Sequence, residues 1–281
     1  MPFRRLAPII AAAAAAAYSL AWHATGHMIV ADIAWRNMSP KARAEAKRLV
    51  EVKAPAKTPD FITAAVWADD TKTRENGPWH YIDFYFRADG KPTDLKPDSE
   101  NVVWAIGKFS SVLKNRSASD SDRGEALRYL LHFVGDIHMP LHCVSRVTDA
   151  EPKGDAGGNR FYVDNRTGRG RHNLHFLWDS GCGGFEEISR PLTPEGRSKV
   201  DAYATECLAS LSKSDRASAL RVSDPNAWAQ SGEALAKSVV YTTPENTEPS
   251  ADYLSKGQRV CKHQVAIAGL RLAALLNRLL G

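Results

Sequence analysis

His132 and Asp136 stand four residues apart, and Pro140-Leu141-His142 follows at once. That spacing puts an imidazole and a carboxylate on one face of a helix, one turn apart. Pro140 is expected to end the helix, so that His142 arrives from a different direction. Imidazole nitrogen and carboxylate oxygen together suit a borderline metal ion such as zinc. The same spacing recurs at His175 and Asp179, within Leu174-His175-Phe176-Leu177-Trp178-Asp179. One such pair is usually a solvated helix face. Two pairs, each flanked by aromatic and aliphatic residues that would bury them, call for a shared partner, because a buried polar group without one is costly.

A third carrier is Val66-Trp67-Ala68-Asp69-Asp70-Thr71-Lys72, followed by Trp79-His80-Tyr81-Ile82-Asp83. An acid at a helix end and a histidine opening a strand-like run can face each other there; a turn Asp and a half-buried surface His are the plainer reading. The fourth is Trp22-His23-Ala24-Thr25-Gly26-His27. If the chain is cut before Trp22, its free amino group and carbonyl form a chelate with His27 nearby. These carriers together offer His27, His80, His132, His142, His175, Asp69, Asp136, Asp179 and one N-terminus. That exceeds the needs of one four-coordinate zinc. Two or three metals sharing a bridging carboxylate such as Asp136 fit better, and multimetal oxygen and nitrogen sites are suited to phosphoester hydrolysis.

The elements that must hold these groups read as mostly helical. Apolar residues recur at helix spacing over 26–36, 40–52, 59–69, 100–115, 122–138, 194–213, 226–239 and 259–280. Only 79–86 and 158–164 resemble strands. Residues 146–173 and 241–258 read as long loops. The 281 residues, 43% hydrophobic and 25% charged, are long enough to bury a core and exclude a disordered or coiled-coil chain. Residues 1–21 run from Arg4-Arg5 through an alanine-rich apolar stretch to Ser19-Leu20-Ala21, the pattern of a cleaved secretory signal, with 22–281 as the mature domain. A membrane anchor is the alternative, but the stretch is shorter than a spanning helix needs. Without Arg4 and Arg5 the formal charge falls from +5 to +3, which permits a polyanionic substrate without demanding one.

The set of motifs resembles the S-one/P-one nuclease family, trinuclear-zinc nucleases that share their fold with zinc-dependent phospholipase C. It comprises the Trp22 start, His27, Trp-Ala-Asp, His-Tyr-Ile-Asp, His-x-x-x-Asp-x-x-x-Pro-x-His, Gly-Gly-Asn and Asn-Leu-His-x-x-Trp-Asp, spread over Trp22 to Asp179. The resemblance implies a mostly α, single-domain helical bundle with short β-hairpin elements, holding three zinc ions. It assigns Asp69, His80, His132 and Asp136 to the first, and His142, His175 and Asp179 to the second. The third falls to Trp22, His27 and Asp136. Asp69 fills the Trp-Ala-Asp position, with Asp70 the alternative; His172 is a rival to His175.

By the same resemblance Asp69 orients the hydrolytic water and accepts its proton, Lys72 contacts the phosphate, Tyr81 stacks on a base, and Asp83 and Asn159 bond its edge. The implied enzyme is a secreted or periplasmic monomer, free of stable membrane association. It hydrolyses single-stranded DNA and RNA to 5′-phosphorylated products and acts on nucleotides as a 3′-nucleotidase. The gap from Asp69 to His80 is shorter than usual for the family, and 143–174 is longer. A zinc-dependent phospholipase C is the alternative activity, although Asp179 stands where that pattern has Glu; a non-catalytic zinc-binding protein is the other. Export makes disulfides available to Cys143, Cys182, Cys207 and Cys261. Pairing Cys143 with Cys182, and Cys207 with Cys261, is expected, because the first bridge would pin both halves of the second metal site.

Overall fold

The computed structural model describes residues 22–163, 172–221 and 224–281. The signal-like segment 1–21 lies outside them. Eleven α-helices make up most of the described chain: α1 (Ala24–Asn37), α2 (Pro40–Glu51), α3 (Phe61–Ala64), α4 (Trp67–Asp70), α5 (Val102–Lys114), α6 (Asp120–Asp136), α7 (Leu174–Asp179), α8 (Pro194–Ala209), α9 (Lys213–Arg221), α10 (Pro225–Ser238) and α11 (Ala251–Leu280). The mostly helical expectation holds.

Local chemistry starts these helices where the sequence says it should. Ser39 caps α2 by accepting the Ala42 N–H, with Pro40 in the first turn. Ser119 caps α6 at Asp122, and the acids Asp120 and Asp122 complement the positive end of its dipole. From Ala126 to Asp136, every residue of α6 is buried. It runs through the middle of the molecule, packed by α1, α2, α4, α5 and α11. Its last turn carries His132 and Asp136, so the metal-type residues sit at the end of the most enclosed helix.

Four boundaries differ from expectation. The C-terminal helix starts at Ala251 rather than 259, because Ser250 caps it by accepting the Tyr253 N–H. Gly257 sits inside this helix, and the Cys182 side chain packs against its bare backbone. The 59–69 segment is two one-turn helices, broken at Ala65 and Val66. Helix α9 covers a polar stretch with little apolar periodicity and was not anticipated. Helix α6 ends at Asp136, four residues before Pro140, which instead opens a short 3-10 turn, Pro140–Cys143.

Strands are few among the described residues. β1 (Phe84–Phe86) pairs in parallel with β2 (Val144–Arg146), and β3 (Tyr162–Val163) pairs antiparallel with β4 (His172–Asn173). The 79–86 stretch is half strand, since Gly77–His80 coils as a 3-10 turn first. The parallel pair joins the chain after His80 to the chain after His142, which draws two of the metal-type histidines together.

The expected cysteine pairing needs correction. All four thiols are free and buried. The Cys143 thiol donates to the Ile137 carbonyl at 3.3 Å and fills the space beside Gly232 of α10. Cys182 packs against Gly257 of α11 instead. Flanking two ligands of one site does not make two cysteines neighbours, because their side chains leave the backbone toward different helices.

Candidate metal centre

Six elements converge on one buried locus. His27 comes from the first turn of α1, Asp69 from α4, and His80 from the end of the Gly77–His80 turn. His132 and Asp136 come from α6, His142 from the Pro140–Cys143 turn, and His175 and Asp179 from α7. Three groups have ligand-type atoms within 4.8 Å of one another: His27, His132 and Asp136; Asp69, His80 and His132; and His142, His175 and Asp179.

Asp136 stands at the junction. Its Oδ2 lies 3.0 Å from His80 Nδ1 and 3.2 Å from His132 Nε2, while its Oδ1 lies 3.4 Å from His27 Nε2. Each carboxylate oxygen therefore faces a different set of imidazoles. Asp69 Oδ1 is 3.5 Å from His132 Nε2 and 3.7 Å from His80 Nδ1. The adjacent Asp70 turns away and is held by both guanidinium nitrogens of Arg190, at 2.6 and 3.0 Å. The neighbouring acids thus separate cleanly.

Backbone carbonyls fix the tautomers. His132 Nδ1 lies 2.7 Å from the Ala65 oxygen, His142 Nδ1 2.8 Å from that of His80, and His175 Nδ1 2.7 Å from that of Gly157. A carbonyl only accepts, so each Nδ1 carries the proton and each Nε2 presents a lone pair to the centre. The His132 Nε2 lone pair lies 3.1 Å from His80 Nδ1, which is itself 3.0 Å from Asp136 Oδ2. Asp69 Oδ1, Asp136 Oδ1, Asp179 Oδ1 and both nitrogens of His27 are buried with no hydrogen-bond partner. Converging buried acceptors without donors are the signature of a cation site, so the donor set fits metal ions.

The electrostatics agree at His27, His80 and His142. Burial, then neighbouring imidazoles, holds His27 and His80 well below the usual histidine range. Burial, then His175 and Lys72, does the same at His142. Neutral imidazole is the ligand form. At His132 burial opposes charge, but Asp136 and Asp69 outweigh it and raise the group to about 10. Burial, reinforced by Asp69 and Asp136, pushes the Asp179 carboxyl well above its ordinary range. Positive charge is what these carboxylates lack.

Trp22 is fully buried at the same locus. Its indole donates to the Gly135 carbonyl at 3.1 Å, and the next residue's N–H donates to the Asp179 carbonyl at 3.0 Å. The chain's entry is thereby tied to the ends of α6 and α7. His172 does not join the centre: it stacks on Phe176 at 4.8 Å. His138 is structural, its Nδ1 donating to Val134 and its Nε2 accepting from Arg271. His263 lies at the surface, 3.8 Å from Asp215.

A cleft of about 630 Å³ opens beside the centre, lined by Lys72, Tyr81, Asp83, Asn159, His142 and His175 among others. All four residues singled out for substrate contact thus share one wall system with two of the histidines. Arg74 and Arg160 line it as well. They add positive charge that no motif had marked, because isolated arginines carry no pattern.

Asp155 is the other residue that sequence reasoning missed. It is buried, and its carboxylate accepts the N–H groups of Arg146 and Gly158 and the Tyr241 hydroxyl, at 2.9, 3.1 and 2.9 Å. It thereby shapes the loop whose Gly157 carbonyl orients His175. Gly157 has φ +62°, and a Cβ there would collide with the Leu141 carbonyl. An acid opening a Gly-rich run, Asp155-Ala156-Gly157-Gly158, was the available signal. On α6, Gly135 leaves room for His27, whose Nδ1 would lie 2.7 Å from an added Cβ.

Asp83 carries a pH prediction. Burial, then Asp155 and Asp98, raises its carboxyl to about 7, against 3.8 ordinarily. The folded chain thus holds a proton that the unfolded chain has released. Stability from this group is complete below about pH 4 and declines as pH rises through 7. In Asp83→Asn the melting temperature should gain on wild type as pH climbs across that window. A constant difference from pH 4 to 8 would show that Asp83 ionises as in solvent.

The S1/P1 Nuclease family model matches residues 22–281. The chain is 28% identical to Nuclease S1 of Aspergillus oryzae across 97% of both chains. It is 31% identical to Nuclease P1 of Penicillium citrinum over 57% of each, and 27% identical to Endonuclease 2 of Arabidopsis thaliana over 92% of this chain and 91% of that one.

Proposed function

Because the chain belongs to the S1/P1 nuclease family, we propose that it is a zinc-dependent phosphodiesterase acting on single-stranded DNA and RNA. It releases 5′-phosphorylated products and removes 3′-phosphates from nucleotides. Residues 1–21 are its export signal, and 22–281 act as a secreted or periplasmic monomer without stable membrane association. No described helix is long and apolar enough to cross a membrane. The observation that carries the reading is Asp136, whose two oxygens face two different imidazole sets.

Three zinc ions fit the donors: Asp69, His80, His132 and Asp136; His142, His175 and Asp179; and His27 and Asp136 with the Trp22 amino and carbonyl groups. Bound there, they supply Lewis acidity and lower the pKa of the attacking water. The chain's own residues do the rest. Asp69, at the edge of the centre, orients that water and takes its proton. Lys72 stabilises charge on the equatorial phosphate oxygens. Tyr81 offers a face for base stacking, which tolerates any base and favours splayed single strands. Asp83 and Asn159 bond the base edge. Asn159 is preset for this, its amide donating to Ala156 O at 2.8 Å.

The test incubates purified protein with single-stranded DNA, RNA, 3′-nucleotides and phosphatidylcholine while metal content is measured. Cleavage of the first three with close to three zincs per chain is expected. Lipid cleavage without nucleic-acid cleavage would overturn the reading in favour of a phospholipase, and one zinc would refute the trinuclear set. Lys72→Met should keep its metals yet lose about a hundredfold in kcat.

A further inference from the structure

The turn behind Asp179 is built from three consecutive residues with positive φ, Gly181 at 64°, Cys182 at 55° and Gly183 at 78°. Glycine takes that conformation freely, whereas a residue with a Cβ resists it. A cysteine in the middle position means that its side chain is what the turn presents. Cys182 is 2% exposed and lies over Gly257 of α11, where any Cβ would strike its sulfur. Gln258 Nε2 donates to the Cys182 carbonyl at 3.2 Å, fixing the turn on that helix. One helical turn beyond Gly257 stands Cys261, equally buried, its thiol pushed up by burial and by the Cys182 sulfur.

We propose that Cys182 and Cys261 form a disulfide that fastens the turn behind Asp179 to α11. The other two cysteines are placed differently. Cys143 is sealed against Gly232 and bonds Ile137. Cys207 stands on α8, fully buried. The bond would brace the centre from behind, since Asp179 lies three residues before Cys182 and its carbonyl holds the His23 N–H.

Both thiols are buried in the finished fold, so the bond forms while the chain is folding, by exchange with a disulfide-bearing oxidant such as oxidised glutathione or an exported dithiol oxidase. One thiolate attacks the oxidant's S–S bond, giving a mixed disulfide and releasing one thiol. The second thiolate then displaces the other half. One S–S bond breaks and one forms, the oxidant gains two electrons, and both protons end on its thiols.

The experiment refolds the full chain with zinc in a glutathione redox buffer, and in parallel with a reducing agent. Free thiols are alkylated under denaturing conditions, and non-reduced proteolytic fragments are mapped by mass spectrometry. The expected result is one linked peptide joining Cys182 to Cys261, with Cys143 and Cys207 alkylated. The oxidised protein should also melt about 5–15 °C higher than the reduced one. That difference should vanish in Cys261→Ala and survive in Cys207→Ala. A Cys207–Cys261 or Cys143–Cys182 link, or four alkylated thiols in an oxidised sample, would overturn the pairing. Nuclease activity measured on the same samples separates this outcome from failure of the functional reading, because an active enzyme with four free thiols refutes the disulfide alone.

Discussion

Asp136→Asn is expected to lower kcat/KM on single-stranded DNA by about a thousandfold or more, roughly 4 kcal/mol of transition-state stabilisation. The asparagine fits the same space but has one oxygen and no charge. It cannot serve His80 and His132 on one side and His27 on the other, as the two carboxylate oxygens do. Metal content should fall from about three per chain, because two of the three groups lose their shared anion. Asp70→Asn is the matched control. That acid is engaged by Arg190 outside the centre, so the variant should keep its metals and most of its activity. Equal losses in the two variants would sink the assignment of a bridging Asp136. Circular dichroism and thermal melting of both proteins exclude simple unfolding.

The second large effect concerns the start of the chain. A protein beginning at Trp22 should bind one more metal ion than one retaining residues ahead of it, and cleave on the order of a hundredfold faster. Trp22 is fully buried, its indole is bonded to Gly135 and the following N–H to Asp179, so its backbone lies at the ends of α6 and α7. A free amino group there can give its lone pair to a metal ion in exchange for a proton; an amide nitrogen in a continuing chain cannot. The comparison needs metal analysis and single-turnover cleavage of the two forms, with the longer one shown to be folded by its melting curve. An extended protein with full activity and three metals would remove the N-terminus from the ligand set.

Much of the centre was legible because helical spacing is geometry. His132 with Asp136, and His175 with Asp179, were bound to share faces once their segments were helical, and both pairs point into the buried locus. The Trp-Ala-Asp acid and His80 were individually weak and became specific only as members of a set. What stayed hidden depends on long-range packing. Asp155 gathers Arg146, Gly158 and Tyr241 from distant parts of the chain. The cysteines went astray for the same reason: nearness in sequence to two ligands says nothing about which helix a thiol meets. Helix α9, polar and without an apolar stripe, offered no period to read.

The carbonyls of Ala65, His80 and Gly157, which fix the protons of His132, His142 and His175, carry a consequence for divergence. Where side-chain carboxylates orient metal-type histidines, the outer layer is written in residue identity and one replacement erases it. Here it is written in the path of the main chain. At Ala65 a different side chain supplies the same oxygen, provided the bend between α3 and α4 survives. Selection can therefore hold the imidazoles in place while letting most of their surroundings drift.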